Sequence, residues 1–369
     1  MFSELVKFVK RDPVFWIAGV LAFVSCFIIK PSAAYAEYID VRTLVLLFSL
    51  MAVVAGFGDV GVFQKLSSFF IKKAGTVRKM CLVLVLLSFF LSMLVTNDVA
   101  LITLVPLTII IMHSVSVKHM EYTVILQTVA ANLGSMMTPF GNPQNLYLYS
   151  FYEMQLMDFV KIVAAPGLLG LVAVVVLSFK VPGEPVAAGS EMKSGHEGIS
   201  DRRAFAVYCV LFVLCIATVL RFVPYYVSGA VVLVVMLVMD RKILLRVDYG
   251  LLITFIFFFI FVGNMGEIDV ISQFLTNIIT GREVLVSALV SQVISNVPAA
   301  LLLSGFTGDG AGLVLGTDIG GLGTLIASMA SLISLKLYMR TEGANVIRFT
   351  VRFSVINFVL LVIMLIIFA

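Results

Sequence analysis

Two short polar stretches, Val95-Thr96-Asn97-Asp98-Val99 and Ile294-Ser295-Asn296-Val297-Pro298, give the strongest indication of the fold. Each interrupts a longer apolar segment, residues 81–112 in the first case and 284–306 in the second. Such a segment is too polar at its centre for a plain membrane span and too long for a core helix of a soluble domain. Irregular backbone at membrane depth is tolerated only where it is buried in protein or lines a cavity. We therefore expect two re-entrant hairpins whose polar turns form the working site.

The composition is that of an α-helical membrane protein. Of the 369 residues, 61% are hydrophobic and only 12% are charged, with a mean hydropathy of +1.12. A soluble domain carries about twice that share of charge. Apolar runs of ~17–20 residues recur from end to end, as expected for an all-α polytopic protein in a lipid bilayer. The net charge of +4 comes from basic residues between these runs, so it does not indicate a nucleic-acid partner.

Metal, disulfide and enzyme chemistry have little support in the sequence. The four cysteines lie in apolar segments without Cys-x-x-Cys spacing, which is typical of small buried hydrophobic residues. The three histidines are scattered over two connecting regions, so we expect no histidine metal site. No nucleophile and base occur together among the few polar residues of the spans. We predict no enzyme activity and no cofactor, apart from a possible sodium ion.

The distribution of positive charge predicts the orientation. With a cytoplasmic N-terminus, and hairpins that return to the side from which they start, most basic residues fall inside, as the positive-inside rule requires. Basic residues and Ala34-Tyr35-Ala36 around the first run resemble a signal peptide, but this run has a counterpart in the second half and is interpreted as a span. We predict a multi-pass protein of the cytoplasmic (inner) membrane with its C-terminus outside. The candidate spans are 14–29, 42–57, 80–112, 122–150, 160–179, 204–221, 226–239, 250–265, 284–306, 310–338 and 350–368; the outside keeps only Lys30, Arg42, Lys161, Arg221 and Arg282 of the 25 basic residues.

The two halves of the chain repeat. Gly58-Asp59 parallels Gly266-Glu267, and Asn97 parallels Asn296. The first hairpin starts inside and the second outside in the predicted orientation, so this is an inverted repeat, a plan found in many secondary transporters. Further parallels are Asn132-Leu133-Gly134 with Asp318-Ile319-Gly320, and Thr138 with Thr324. The predicted division is 1–79 (scaffold helices and an interfacial arm), 80–150 (first hairpin and broken helix), 151–283 (scaffold helices, linker and second arm), 284–339 (second hairpin and broken helix) and 340–369 (a final scaffold helix).

The turns of the hairpins suit ions of either sign. Helix N-termini carry partial positive charge and free N–H groups, which favour an anion. The oxygens of Thr96, Asn97, Ser295 and Asn296, with freed backbone carbonyls, favour a small cation. A buried asparagine in a span more often makes a helix–helix hydrogen bond. Two at equivalent positions, each beside a hydroxyl, favour a site.

Asp98 and Asp318 are the two aspartates for which a position inside a span is energetically unfavourable. An ionisable group inside a membrane costs several kcal/mol and marks ion or proton pathways by default. The alternative is a neutral, hydrogen-bonded aspartic acid with a structural role. We favour cation coordination or proton carriage.

Two spans are predicted to be broken. The stretch Thr138-Pro139-Phe140-Gly141-Asn142-Pro143-Gln144-Asn145 contains two prolines, which remove donors and kink a helix. Glycines loosen the equivalent span, although they also allow close helix packing. Polar residues cluster beside both breaks, which favours a cavity lining. The glycines are Gly316, Gly320, Gly321 and Gly323, and the polar neighbours are Asn142, Asn145, Thr324 and Ser328.

These motifs resemble the ion-transporter superfamily of divalent-anion/sodium symporters, citrate and arsenite permeases and NhaD-type sodium/proton antiporters. The similarity covers nearly the whole chain and is greatest to bacterial anion permeases of the YbiR kind. It implies an elevator mechanism, in which hairpins and broken spans slide against a dimerising scaffold. It also implies that Ser-Asn-Thr-like turns bind sodium and carboxylate together. This chain has Asp98 and Val297 where the sodium/dicarboxylate members have threonine, and its Asn-Asp pair is more similar to arsenite permeases, which makes proton coupling through Asp98 plausible.

The predicted function is cation-coupled transport, by sodium or protons, of a small anion such as a carboxylate or inorganic oxyanion, in a homodimer. A sodium/proton antiporter is the alternative, and a channel is a third class that the broken-helix plan disfavours. The substrate-binding residues predicted are Thr96, Asn97, Thr138, Asn142, Ser295, Asn296, Val297 and Thr324. The cation-coupling residues predicted are Asn97, Asp98, Gly141, Ser295, Asn296 and Asp318, with a possible sodium ion at Asn97, Asp98 and Asn296.

Overall fold

A computed structural model describes residues 13–33, 35–71, 74–185 and 201–369. Within these ranges the chain is helical, with one isolated bridge between Thr76 and Pro185 in place of any β-sheet. The basic residues before the first span and most of the central linker lie outside the described residues. The predicted all-α class is confirmed.

The helices follow one another with short connections. In chain order they are α1 Pro13–Ile28, α2 Tyr35–Tyr38, α3 Val41–Asp59, α4 Val62–Ile71, α5 Val77–Val95, α6 Asn97–Val115, α7 Val117–Ser135, α8 Pro143–Phe151, α9 Leu156–Ser178, α10 Arg202–Val219, α11 Tyr225–Asp240, a 3₁₀ turn Ile243–Arg246, α12 Tyr249–Gly266, α13 Asp269–Ile279, α14 Glu283–Ile294, α15 Asn296–Ser304, α16 Gly310–Gly320, α17 Met329–Tyr338 and α18 Val346–Phe368.

Several of these helices are long and apolar enough to cross a bilayer. Among the described residues six qualify, namely α3, α5, α9, α10, α12 and α18. A seventh span results if α13 and α14, which meet at an angle of 111°, are taken together. The protein is therefore a multi-pass membrane protein.

The predicted interruptions occur where the polar stretches stand. α5 ends and α6 begins at Thr96, whose φ of 86° and ψ of 147° are incompatible with a continuing helix. Ser295 separates α14 from α15 with φ 76° and ψ 155°. A positive φ is uncommon for any residue with a Cβ, and least expected for β-branched threonine. The predicted broken spans are likewise interrupted, between α7 and α8 and between α16 and α17.

The helices pack in two sets of pairs. α1 packs on α12, and α3 packs on α10 and α11. Around the interruptions, α5 packs on α7 and α14 on α16, while α6 packs on α17 and α8 on α15. Close approach requires glycine at Gly134, where a Cβ would lie 2.1 Å from the carbonyl oxygen of Phe89. α9 lies against α5 and α7, and α18 against α7, α14 and α16, so both cover the interrupted helices.

A buried acid joins three helices at one end of the molecule. The side chain of Glu121, on α7, is 2% exposed. Its carboxylate accepts hydrogen bonds from Arg348 Nε at 2.7 Å, Arg352 Nη1 at 3.0 Å and Tyr338 Oη at 3.0 Å. The arginines belong to α18 and the tyrosine to α17, so one carboxylate fixes the start of α18 to the broken helices. Its charge is fully paired, as a buried carboxylate requires.

We expect Glu121→Gln to destabilise the fold by about 1–3 kcal/mol, because it removes charge-assisted hydrogen bonds while the arginines, each half exposed, remain solvated. The matched control is Asp158→Asn in the exposed pair with Lys161, which should cost less than about 0.5 kcal/mol. Denaturant unfolding in mixed micelles measures both. Equal effects for the two variants would show that Glu121 does not anchor α18.

Candidate functional site

The first interruption is closed by two hydrogen bonds to the loop that follows α7 and by a third within the turn. The backbone N–H of Asn97 donates to the carbonyl of Gly141 at 3.1 Å. The side-chain oxygen of Asn97 accepts the backbone N–H of Asp98 at 3.0 Å. Thr138 Oγ1 donates to the carbonyl of Met93, in the last turn of α5, at 2.6 Å. The broken backbone is thus satisfied within the protein, as the membrane interior demands.

The second interruption is closed in the same way. The backbone N–H of Asn296 donates to the carbonyl of Ala327 at 2.9 Å, and its side-chain oxygen accepts the N–H of Val297 at 2.9 Å. Thr324 Oγ1 donates to the carbonyl of Gln292 at 3.0 Å. Turn residues of the two sets are 199 positions apart (97 to 296, 93 to 292), and loop residues are 186 apart (138 to 324, 141 to 327). Both closures therefore use equivalent positions of the two halves.

Behind the turns the two halves exchange side-chain contacts. Asn132, on α7, accepts from Ser328 Oγ at 3.0 Å and donates to Ser331 Oγ at 3.3 Å. Asp318, the equivalent residue on α16, accepts from the amides of Asn142 at 3.1 Å and Asn145 at 2.9 Å.

The same spacing of 186 relates these partners, from 142 to 328 and from 145 to 331. We call these contacts the first crossing, around Asn132, and the second crossing, around Asp318. Each half thus contributes a polar residue to the loop of the other.

A small, partly open cavity lies where the two interruptions meet. Four helices, α6, α8, α15 and α17, present their first residues to it, and the first turn of α12 contributes one more. A helix N-terminus carries about half a positive charge and N–H groups without intrahelical partners, so four of them around one cavity suit an anion. The lining residues are Asn97, Asp98, Pro143, Gln144, Leu251, Asn296, Val297, Ser328 and Met329.

Asp98 brings a negative charge to the same cavity. Its side chain is half-buried, and its carboxylate makes no hydrogen bond or ion pair with any residue in the described ranges. The described lining contains no lysine, arginine or histidine. A second carboxylate, that of Asp248 at the N-cap of α12, lies close enough for its charge to act on Asp98. The cavity therefore combines helix N-termini with an acid that no basic side chain neutralises.

The predicted site residues fall into three groups. Four line the cavity: Asn97, Asp98, Asn296 and Val297. Others surround it, because Thr96 and Ser295 form the turns, the Gly141 carbonyl holds Asn97, and Asn142 holds Asp318. The hydroxyls of Thr138 and Thr324 are bonded to backbone carbonyls at the ends of α5 and α14.

Sequence reasoning did not assign some residues of the site. Gln144 lines the cavity and stood beside Asn145 in the first broken span, whereas Ser328 was predicted to line a cavity but was not assigned a binding role. Asn132 was noted only as the counterpart of Asp318, although its position in the repeat was a sufficient signal. Leu251 lies in an ordinary apolar span, and nothing in the sequence marks it.

The interrupted membrane helices, the polar crossings between halves and the cavity at the interruptions are typical of a polytopic membrane transport protein. The citrate transporter family profile (CitMHS) matches residues 5–307, and the chain belongs to that family. The match ends before α16.

Similar proteins are also transporters or membrane proteins. The uncharacterised transporter MJ0456 of Methanocaldococcus jannaschii is 33% identical over 313 residues, 84% of each chain. The inner membrane protein YbiR of Escherichia coli is 28% identical over 317 residues, 85% of this chain and 84% of that one. A putative transporter arsB of Dictyostelium discoideum is 26% identical over 155 residues, 42% of this chain and 27% of that one. The predicted superfamily and the likeness to YbiR are confirmed, and the family consists of transporters rather than enzymes.

We expect Thr138→Val to cost about 1–3 kcal/mol of stability, because it leaves the Met93 carbonyl without a donor inside the membrane. Thr324→Val should act likewise on the Gln292 carbonyl. Thr138→Ser and Thr324→Ser, which keep the hydroxyls, are the controls. Unfolding in mixed micelles gives the stabilities. A changed substrate preference at unchanged stability would instead favour direct substrate binding by these threonines.

Proposed function

We propose that the protein is a cation-coupled secondary transporter that moves a small anion across the cytoplasmic membrane. The observation that carries this proposal is the cavity in which four helix N-termini surround one unneutralised carboxylate. The substrate class is a carboxylate or an inorganic oxyanion. Membership of a citrate transporter family and likeness to an arsB-type transporter both support that class.

The helix N-termini supply the anion site. An anion can take N–H groups from the first turns of α8 and α17, and side-chain amide or hydroxyl groups from Gln144 and Ser328. Such a site holds an anion without a lysine or arginine. The small cavity favours a compact anion over an extended one.

The carboxylate of Asp98 supplies the coupling. An anion about 5 Å from an ionised Asp98 is repelled by roughly 3 kcal/mol at an effective dielectric constant of ~20. A sodium ion or a proton on Asp98 removes this repulsion, so the cation raises anion affinity by about 10²-fold. By linkage the anion raises cation affinity by the same factor. The empty and doubly occupied cavities are then the stable states, which is what cotransport requires.

An inverted repeat is supported by the equivalent contacts of the two halves. Both interruptions are closed by matching hydrogen bonds. The helix pairs also match, since α5 with α7 corresponds to α14 with α16, and α1 with α12 corresponds to α11 with α3. In the proposed orientation the N-terminus is cytoplasmic and the C-terminus outside, so the two halves cross the membrane in opposite directions.

Such a repeat supports an elevator mechanism as the mode of alternating access. The moving part would contain the interrupted helices, and the contacts of α9 and α18 favour including both of them, whereas the sequence placed both with the scaffold. The framework would contain α1, α3, α10, α11 and α12. Movement of one part against the other would carry the cavity between the two membrane surfaces.

The contacts between the framework and the moving part support one assignment of the transport state. α12 packs on α15, and α3 packs on α8. When each helix is replaced by its counterpart in the other half, these pairs become α3 with α6 and α12 with α17. We propose these as the contacts of the opposite state.

The counterpart of Leu251 in the other half is Thr43. Both follow an aspartate N-cap of matching geometry, Asp248 (φ −78°, ψ 81°) and Asp40 (φ −75°, ψ 86°). Because α12 begins on the cytoplasmic side in the proposed orientation, the structure corresponds to an inward-facing state.

Transport in proteoliposomes tests the function. Purified protein should accumulate citrate, phosphate or sulfate when a sodium or proton gradient is imposed. Asp98→Asn should greatly weaken that gradient dependence, because the neutral amide takes up no proton and has no charge to balance a sodium ion. Asp158→Asn, on an exposed face, is the control and should transport normally. Gradient-driven uptake by Asp98→Asn equal to wild type would contradict coupling at Asp98.

The second candidate function is sodium/proton antiport, which the two intramembrane carboxylates favour. It predicts that sodium added without any anion changes the lumenal pH of the same vesicles. The proposed cotransporter requires the anion for any such change. Lumenal pH recorded with sodium alone, and then with each anion, separates the two.

The opposite state can be trapped by cysteine cross-linking in a variant without the four native cysteines. Leu251→Cys with Val297→Cys, on the packed helices α12 and α15, should cross-link in the inward-facing state, since both residues line the cavity. Thr43→Cys with Val99→Cys, on α3 and α6, should cross-link only when the transporter is driven outward. Cross-linking of both pairs to the same extent under all gradients would contradict the elevator.

A further inference from the structure

The two crossings differ in charge. At the first crossing Asn132 is neutral and fully bonded: its oxygen accepts from Asn97 Nδ2 at 3.1 Å and Ser328 Oγ at 3.0 Å, and its nitrogen donates to Gly321 O and Ser331 Oγ, both at 3.3 Å. At the second crossing the equivalent residue is Asp318, which is 4% exposed. The same frame thus holds a neutral amide in one half and a carboxylate in the other.

The donors around Asp318 favour an ionised carboxylate. Oδ1 accepts from Asn142 Nδ2 at 3.1 Å and Gln144 Nε2 at 3.5 Å, while Oδ2 accepts from Asn145 Nδ2 at 2.9 Å. All three donors are neutral amides, which bond an acceptor-only carboxylate without cancelling its charge. No lysine, arginine or histidine of the described chain contacts Asp318. A buried charge of this kind is strongly unfavourable unless a counter-charge accompanies it.

A second unsatisfied oxygen belongs to the same crossing. Asn145 is fully buried, and its Oδ1 accepts no hydrogen bond from the described residues. Its amide nitrogen is committed to Asp318 Oδ2 and, at 3.5 Å, to the carbonyl of Met136. An orphan buried acceptor in a native fold calls for a water or an ion. At the first crossing the equivalent residue, Ser331, has a hydroxyl bonded to Asn132.

We propose that the second crossing binds a monovalent cation, coordinated by Asp318 and Asn145 Oδ1, separately from any cation at Asp98. Oxygen ligands and a single negative charge suit sodium. The proposal rests on cation-coupled transport and deepens it by assigning a second ion. Gln144 bonds Asp318 and also lines the cavity, so occupancy at the crossing reaches the anion through that side chain.

Sodium binding in the absence of any anion tests the site. Equilibrium binding of ²²Na⁺ to detergent-purified protein, at constant ionic strength maintained with choline, should show the crossing site in the wild type, with a second site where the cation at Asp98 is sodium rather than a proton. Asp318→Asn should lose the crossing site, and Asp98→Asn should retain it. Asn145→Ser, which installs the residue found at the equivalent position, should fold and weaken one site by about tenfold or more. Ser331→Ala at the first crossing is the matched control and should leave both sites unchanged.

Two results would overturn the second site. One is an unchanged stoichiometry and affinity in both Asp318→Asn and Asn145→Ser. The other is a wild type that binds one sodium ion, lost in Asp98→Asn. Neither result would contradict the proposed anion transport, which is measured separately in vesicles. Conversely, two sodium sites in a protein that transports no anion would retain the crossing site and reject the anion permease.

Discussion

The structure depends on satisfying backbone groups at helix breaks inside an apolar membrane protein. Thr96 and Ser295 interrupt their helices at positive φ. The interruption leaves backbone N–H and carbonyl groups without helical partners in an apolar environment, where the protein itself must supply their hydrogen bonds. Asparagine resolves this, because Asn97 and Asn296 donate a backbone N–H to the facing loop and cap the next N–H with their own side-chain oxygen. Each turn is therefore stable only when its loop is present. The loops of the broken helices therefore stabilise the hairpin turns, in addition to any role in binding an ion.

This mutual dependence explains why the cavity forms where it does. Each loop holds its own half's turn through a carbonyl and the other half's crossing residue through side chains. Four helix N-termini are brought together as a geometric consequence, since a helix must begin after every break. The positive potential that suits an anion is thus a property of the backbone, and the variable side chains decide the charge that is coupled to it. One half supplies Asp98 and the other Asp318, at positions that are not equivalent.

The sequence predicted the breaks well because they depend on local chemistry. Asparagine beside a hydroxyl in an apolar run, and prolines in the 138–145 stretch, are visible without any tertiary information. The use of each polar side chain was less predictable. Thr138 and Thr324 stand at equivalent positions beside the breaks, yet their hydroxyls close helix ends, because the distance to a neighbouring carbonyl is a tertiary property. Leu251 lines the cavity, but it lies in a helix of mostly apolar residues, and nothing in the sequence distinguishes it from its neighbours.

Asn132 and Asp318 occupy equivalent positions of the repeat but differ in charge, so the two halves are not equivalent for an ion. If both crossings were neutral, the crossings themselves would give an ion no preference for one half. A single carboxylate at 318 removes that equivalence, and the surrounding residues change with it: amides that donate replace the serines that serve the neutral crossing. The partners of Asp318 are thus matched to a charge rather than to a shape. Because Gln144 belongs to this set and also lines the cavity, the charge at the crossing and the proposed anion at the helix N-termini would act on the same side chain. Ions in a site assembled in this way would bind interdependently, which is the physical requirement for the proposed cotransport.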